Sequence, residues 1–220
     1  MSVPEQTTEV VIAKLPSRPS PEQVEQCVSI LLDAFNGDPI VDAISGFNPP
    51  VWAGLLKHRI GNGEPDWETY VATVNGHIQG VALVIPPGKG YPEDPDEFTS
   101  QLDPKIFAWQ KKTLFPSMTT LDTLSFGPHG IRDPLYLNFL AVSPAARKFG
   151  LGSRMLSHLK TVADSQQADF ALNSEHAHLC EYYGKRGFEV RGESPVVIHP
   201  SGQELVSWGL VNPFSVDPRA

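Results

Sequence analysis

Residues 143–156 read SPAARKFGLGSRML and place Gly150 and Gly152 among basic side chains, directly before an apolar repeat. The preceding residues, Leu135 to Val142, predict a strand, and Leu151 to Ala163 predict an amphipathic helix. A strand, a glycine-containing loop and a helix aim backbone N–H groups and the positive end of the helix dipole at one point, which suits a pyrophosphate. From the spacing alone, an ordinary turn at a helix start is equally compatible, because short glycine motifs also occur by chance.

The charges in this loop favour an anion without matching either common nucleotide motif. Arg147, Lys148 and Arg154 bring positive charge into a chain whose formal net charge is −8. The Lys-Ser/Thr pair of a P-loop does not follow the glycines, and the G-x-G-x-x-G pattern of a Rossmann fold is missing. The loop therefore indicates an anion site of another kind.

The rest of the chain alternates strands and helices, which is typical of an α+β or α/β sheet with helices on its faces. The predicted elements are a strand at 9–15, a helix from Ser20 to about Phe35, a helix at 51–60, a hairpin turning at Asn75-Gly76, a helix at 98–114, a strand at 169–173, a helix at 177–185 and two closing strands at 188–198 and 204–210.

Composition limits the classes of protein that fit this sequence. The length of 220 residues suits a flexible tail at 1–8 and a single domain at 9–217. The acidic balance argues against a nucleic-acid partner, and no apolar run is long enough to cross a membrane. Neither signal-peptide features nor cysteine spacing for a metal site occurs, so a cytoplasmic protein with Cys27 and Cys180 as buried, reduced thiols and no metal is expected.

Two motifs together resemble the GNAT superfamily of N-acetyltransferases. The stretch FLAVSPAARKFGLGSRML resembles the acetyl-CoA signature of that family, with Arg147, Gly150 and Gly152 in matching places. Further on, EYYGKRGFEV is similar to the second family signature, with Tyr183 and Gly187-Phe188 in register. A narrower resemblance to puromycin-type antibiotic acetyltransferases comes from the layout of AFNGDP and FALNSEHAHLCEYYGKRGFEV.

The resemblance implies an α+β, three-layer GNAT fold. Its central sheet would be mixed and mostly antiparallel, with about seven strands and helices on both faces. Two parallel strands, 135–142 and 169–173, would splay into a V that receives the pantetheine arm of acetyl-CoA, the implied co-substrate. The residues implied to bind it are Leu140, Ala141, Val142, Arg147, Lys148, Phe149, Gly150, Leu151, Gly152 and Ser153.

The resemblance also implies direct transfer of an acetyl group to an amine in a ternary complex. Tyr183 is the candidate general acid, because a phenol can donate a proton to the departing thiolate; the alternative is a core aromatic residue. Glu175 is the candidate base, and His176 and His178 are alternatives to it. A polar helix start capped by Ser174, with solvated side chains, is equally compatible with these residues.

The acceptor side is expected in the stretch NGDPIVDAISGFNPPVWAG. Asp38 and Asp42 would attract a cationic amine, and Phe47 and Trp52 would flank its apolar body, although a plain turn and core aromatics fit as well. Asn138 would point into the slot, on the premise that Tyr136, Asn138, Leu140 and Val142 share one strand face, although a structural role for a buried, hydrogen-bonded Asn138 is equally compatible.

These expectations favour an N-acetyltransferase acting on a small-molecule primary amine, such as an antibiotic or other xenobiotic, in a monomer or homodimer. Two alternatives stay open at this point. One is acetylation of a protein or peptide amine, and the other is a non-catalytic module that binds acyl-CoA.

Overall fold

A seven-stranded mixed sheet forms the centre of the protein, in a computed structural model that describes residues 8–46, 48–62 and 66–215. The strand order is β1-β2-β3-β4-β5-β9-β6, and β4 and β5 are parallel neighbours while the other pairs are antiparallel. Strands β7 and β8 form a separate two-stranded ribbon. The strands are β1 Val10–Lys14, β2 Glu68–Val74, β3 His77–Ile85, β4 Leu135–Val142, β5 Phe170–Ser174, β6 Glu189–Glu193, β7 Val197–Ile198, β8 Glu204–Leu205 and β9 Trp208–Asn212.

Helices cover both faces of this sheet, as the fold prediction requires. We call the two sides the α1–α6 face and the α7–α8 face, after the helices that pack there, and each has its own hydrophobic cluster. The π-helical turn Gln110–Leu114 joins α5 to α6. The helices are α1 Pro21–Ala34, α2 Pro39–Ser45, α3 Pro49–Gly61, α4 Asp96–Thr99, α5 Pro104–Trp109, α6 Phe115–Phe126, α7 Leu151–Ser165 and α8 Ala177–Gly184.

Local sequence signals explain the elements that were predicted correctly. The Ser20 hydroxyl accepts from the Gln23 N–H and the Gln23 side chain accepts from the Ser20 N–H, which is the capping box that begins α1. Asn75 and Gly76 have φ values of 50° and 83°, as the turn between β2 and β3 requires. The apolar stripe of α7 is buried against the sheet. The predicted hairpin and both helices are thus confirmed.

Helix α2 was not predicted, because Asp38-Pro39 was interpreted as a turn that ends a helix. The Asp38 carboxylate instead accepts hydrogen bonds from the Ile40 and Val41 N–H groups and caps a new helix, with Pro39 in its first turn. Gly46 ends this helix in the left-handed conformation, with φ 64°. The acceptor-side stretch is therefore largely helical.

Two further predictions need correction. The single helix at 98–114 is three segments, because Asp103 caps a second start at Pro104 and the chain continues through the π-helical turn to Phe126. Each closing strand is also split, since β6 ends at Glu193 before Pro195, and Val206-Ser207 separates β8, which pairs with β7, from β9, which pairs with β5 and β6. The split segments supply the β7–β8 ribbon.

The two cysteines are free thiols in different surroundings. Cys27 is buried in α1, whereas Cys180 is only partly buried because α8 keeps one side towards solvent. The prediction that both are buried is therefore wrong for Cys180.

Within the described ranges, none of the helices combines the length and apolar character needed to cross a membrane.

Helix α6 approaches β6 and β9 so closely that only glycine fits beneath it. A Cβ built on Gly209 or on Gly192 would overlap the Ser125 hydroxyl. We expect Gly209→Ala to lower the free energy of unfolding by about 1–3 kcal/mol, because overpacking forces backbone shifts. Urea unfolding measures this change. Gly184→Ala is the control, since its Cβ would meet no atom within 4 Å, and equal stability of both variants would refute the close packing.

Candidate active site

A bulge in β4 opens the central sheet. Leu137 lies opposite Val84 of β3 and Phe139 lies opposite Leu83, which leaves Asn138 without its own partner in β3. The parallel pairing of β4 with β5 covers only Leu135 to Leu137. Beyond that point the edge of β4 that faces β5 is not paired with it, so its backbone groups are available to an extended ligand arm. The V predicted between the two parallel strands is confirmed.

The same bulge changes which side chains share a face of β4. Tyr136 packs in the cluster of the α1–α6 face together with Phe139 and Ala141. Leu140 and Val142 pack against the cluster of the α7–α8 face. The premise that Tyr136, Asn138, Leu140 and Val142 share one face is therefore wrong, because strict alternation stops at the extra residue. Asn138 is partly buried at the point where the V begins.

The glycine loop leads into the uncapped N-terminus of α7. Gly150 has φ 64° and ψ 28°, and no side chain caps the helix. The Gly150 N–H is already bonded to the Arg147 carbonyl, and the first bond into the helix runs from the Arg154 N–H to the Gly150 carbonyl. The N–H groups of residues 151–153 consequently lack intrahelical acceptors, and they form a ready donor set for an anion.

Arg186 is a basic residue near this loop that the sequence patterns did not single out. Its guanidinium donates to the Ser153 hydroxyl through Nε at 3.0 Å and Nη2 at 2.6 Å, and its Nη1 donates to the Tyr182 carbonyl at 2.6 Å. Its central carbon lies 3.5 Å from the centre of the Tyr182 ring. These contacts hold a positive charge at the start of α7. Only its nearness in sequence to Gly187-Phe188 could have suggested it.

Glu175 follows directly after β5, beside the V. The Ser207 hydroxyl lies 3.4 Å from Glu175 Oε1 and favours the carboxylate. Burial and the nearby negative charge of Asp38 act in the other direction and raise the pKa of Glu175 to about 7. A carboxyl group that titrates near neutrality is suited to exchange protons with a substrate.

Tyr183 lies on α8, which packs on the α7–α8 face of the sheet, whereas α1 and α2 pack on the α1–α6 face. Its ring packs edge-on against Phe188 with centroids 5.6 Å apart, and it contacts the apolar cluster of the α7–α8 face. Burial raises the pKa of the Tyr183 phenol well above its usual value, and the charges of Tyr182 and Glu175 act in the same direction. The phenol therefore stays protonated through the neutral range, as a proton donor requires.

The predicted acceptor residues lie around the α1–α6 face in different environments. Asp38 caps α2 and also contacts His176, while Asp42 is half-buried in the first turn of that helix. Burial and the charge of Asp38 raise the pKa of Asp42. Trp52 is 3% exposed and packs edge-on against Phe139. Phe47 lies outside the described residues.

A buried polar network that sequence reasoning missed lies beneath α6. Asp122, 4% exposed, accepts from the Asn173 amide at 2.7 Å, and burial raises its pKa to about 6. The Tyr91 hydroxyl donates to that of Tyr136 at 2.9 Å on the same face.

In the part of the chain that the structure describes, no three His, Cys, Asp or Glu side chains are grouped to hold a metal ion.

Comparison with known proteins agrees with this geometry. Residues 89–198 match the family model of the acetyltransferase (GNAT) domain, which is half of the chain. The chain belongs to the GNAT acetyltransferases. Acetyl transfer is thus the chemistry that its family supports. A search of curated protein sequences finds no significant match to this GNAT protein.

Solved structures with the same architecture have low sequence identity to this GNAT protein. A mosquito arylalkylamine N-acetyltransferase-like protein, 5b, is 18% identical with a TM-score of 0.62, covering 92% of this chain and 99% of its own. A histone acetyltransferase HPA2-related protein from Corynebacterium glutamicum is 20% identical with a TM-score of 0.58, covering 96% and 98%. A Bacillus subtilis acetyltransferase in complex with CoA is 13% identical with a TM-score of 0.50, covering 94% and 100%. These likenesses show the fold.

Proposed function

We propose that this GNAT protein transfers an acetyl group from acetyl-CoA to the primary amine of a small molecule, by direct transfer in a ternary complex. The observation that carries the proposal is the V between β4 and β5, with Glu175 beside the end of one strand and Tyr183 on the following helix. Burial raises the pKa of Tyr183, and the charge of Glu175 acts in the same direction. These observations support a candidate base and a candidate acid that act at one opening.

The chain's own groups fit the parts of acetyl-CoA. The unpaired edge of β4, from Leu140 through Ala141 to Val142, suits the amide-containing pantetheine arm. The free N–H groups at the start of α7 suit the pyrophosphate, and Gly150 offers open space because a Cβ there would meet no atom within 4 Å. Arg147 and Lys148 are exposed in this loop and add positive charge, Phe149 follows them, and Leu151 is the buried first residue of α7.

Catalysis would use two proton transfers by residues of this chain. Bound acetyl-CoA would supply the thioester carbonyl that the amine attacks. Glu175 takes the proton that the amine nitrogen loses, directly or through a water molecule, as the C–N bond forms. Tyr183 gives its proton to sulfur as the C–S bond breaks, and its phenolate recovers a proton from solvent.

The α1–α6 face supports a small, cationic acceptor. Segment 86–95 is tied down by the Arg59–Asp94 ion pair, by the contact of Lys89 with Asp66 at 2.9 Å and by the Tyr91 hydrogen bond. Such ties favour a covered site over the open groove that a peptide would need.

Negative charge on this side would attract an amine in its ammonium form, which would lose one proton to solvent before the neutral nitrogen attacks. Asp38 and Asp42 supply that charge. Asn138 lies at the start of the V, and Trp52 packs in the hydrophobic core of the α1–α6 face. The assignment of these four residues to the acceptor stays a prediction. A cytoplasmic location, and a monomeric or homodimeric state, also stay predictions.

The pH dependence of turnover tests the role of Glu175. Because the base must be ionised, kcat/KM of the wild type is expected to fall about tenfold per pH unit below a midpoint near the Glu175 pKa of about 7. Glu175→Gln is expected to lower kcat/KM by about 10²- to 10³-fold at pH 8 and to remove that limb. Thiol release from acetyl-CoA, with one amine throughout, measures both effects.

Glu181→Gln is a matched control for this experiment. It removes an exposed carboxylate on α8 whose ion-pair partner, among the described residues, is the exposed Lys185 side chain. We expect this variant to keep the wild-type profile. If Glu175→Gln kept it as well, Glu175 would not be the base.

A further inference from the structure

The two carboxylate oxygens of Asp38 have different partners. Oδ1 accepts from the Ile40 N–H at 3.0 Å and from the Val41 N–H at 3.1 Å, which begins α2. Oδ2 lies 3.1 Å from His176 Nε2, across 138 positions of sequence. The Asp38 side chain is 10% exposed and the His176 side chain 38% exposed, so the carboxylate is buried while the imidazole partly reaches solvent. The Asp38 side chain thus joins the α1–α2 corner, which is the connection 35–38 between these two helices, to His176, the residue immediately after Glu175.

The surroundings of Glu175 single out Asp38 as the charge that acts on it. Asp38 opposes ionisation of Glu175, and the Ser207 hydroxyl favours it. Among the described residues, the charge of Glu175 also acts on Tyr136 of β4, Tyr91 of segment 86–95 and Tyr183 of α8, and burial raises the pKa of all three phenols, so they are neutral around pH 7. His176 and His178 both follow Glu175 along the chain, and their ring centroids are 5.5 Å apart.

We propose that Asp38 is a positioning residue for the base: it holds the Glu175–His176 segment against the α1–α2 corner and places a fixed negative charge beside Glu175. This role rests on the proposed function of Glu175 and deepens it. A carboxylate next to another carboxylate makes the second a better proton acceptor, because each charge disfavours the other. The contact with His176 keeps the two carboxylates from moving apart. A residue that only caps α2 would have neither effect.

Asp38→Asn removes the negative charge at position 38 and keeps a side chain that can cap α2. Asparagine is as good an N-cap as aspartate, so α2 is expected to form normally while the charge is removed. Loss of a neighbouring negative charge favours the ionised form of Glu175, and its titration midpoint is expected to fall by about 0.5–1 pH unit. The acid limb of kcat/KM should move to lower pH by the same amount. Asp33→Asn, an exposed aspartate at the end of α1, is the control and should change neither quantity.

Carboxyl ¹³C NMR of protein labelled at glutamate Cδ gives the midpoint without relying on turnover, with the Glu175 signal assigned by its loss in Glu175→Gln. An unchanged midpoint in Asp38→Asn would overturn the proposal. A wild-type protein that acetylates no amine would refute the proposed function instead, and the titration would still decide what Asp38 does. The two failures are therefore distinguishable.

His176→Ala tests the contact, since it keeps the Asp38 charge and removes the link. We expect kcat to fall about tenfold through misplacement of the base, with the acid limb still present. A loss greater than about 10³-fold, together with loss of that limb, would make His176 the base and would overturn the positioning role of Asp38.

Discussion

Replacing Tyr183 by phenylalanine is expected to lower kcat by about 10²- to 10⁴-fold while the Kd for CoA changes by less than about twofold. The ring packs against Phe188 in the cluster of the α7–α8 face, and phenylalanine preserves that packing. Only the hydroxyl group is lost, so that no phenol can donate a proton and sulfur must leave as an unprotonated thiolate. Stopped or continuous thiol-release assays give kcat, and calorimetry with CoA gives the Kd.

Tyr70→Phe is the matched control for this substitution. Tyr70 is 5% exposed on β2, and its hydroxyl contacts Glu68 at 2.9 Å, on the other side of β3 from the V. We expect this variant to retain wild-type kcat. Unchanged turnover in Tyr183→Phe would remove Tyr183 from the mechanism and leave it as a packing residue.

Gly150→Trp is expected to raise the Kd for CoA by about 100-fold, which corresponds to about 2.7 kcal/mol of binding free energy. The indole would occupy the open space in front of the α7 N-terminus, where the pyrophosphate is proposed to lie. The positive φ of 64° adds strain to any residue with a Cβ. Isothermal titration calorimetry measures the change.

Gly202→Trp separates this blockage from the effect of a strained tryptophan. Gly202 also has a positive φ, 90°, with no atom within 4 Å of its Cβ position, but it lies in the turn between β7 and β8. We expect normal CoA affinity there. Equal affinities of wild type and Gly150→Trp would show that the pyrophosphate lies elsewhere.

Local signals predicted much of the fold. The capping box at Ser20, the turn at Asn75-Gly76 and the apolar stripe of α7 each act over a few residues, so the sequence alone identifies them. Asp38-Pro39 was harder, because the same two residues suit both a turn and a helix start. What decides between them is the burial of Ile40, Val41 and Ala43 in the core, which is a tertiary effect.

The site depended more strongly on contacts that are distant in sequence. The bulge at Asn138 depends on the register between β3 and β4. A prediction that assumes strict alternation of side chains along a strand does not include an extra residue, so the sequence alone does not reveal the bulge. The pairing of Asp38 with His176 and that of Asp122 with Asn173 likewise join remote positions. The glycine loop and Tyr183 could be proposed from the sequence because their motifs are local.

The measurement that tests the central claim most directly is acetyl transfer itself. Purified wild-type protein would be incubated with acetyl-CoA and a panel of small primary amines and peptide amines, with free thiol and acetylated product measured together by absorbance and mass spectrometry. The account predicts a small amine that gains one acetyl group for each CoA released, and almost none in Tyr183→Phe. CoA that binds at the α7 loop, with no acetylated amine from pH 6 to 9, would contradict it.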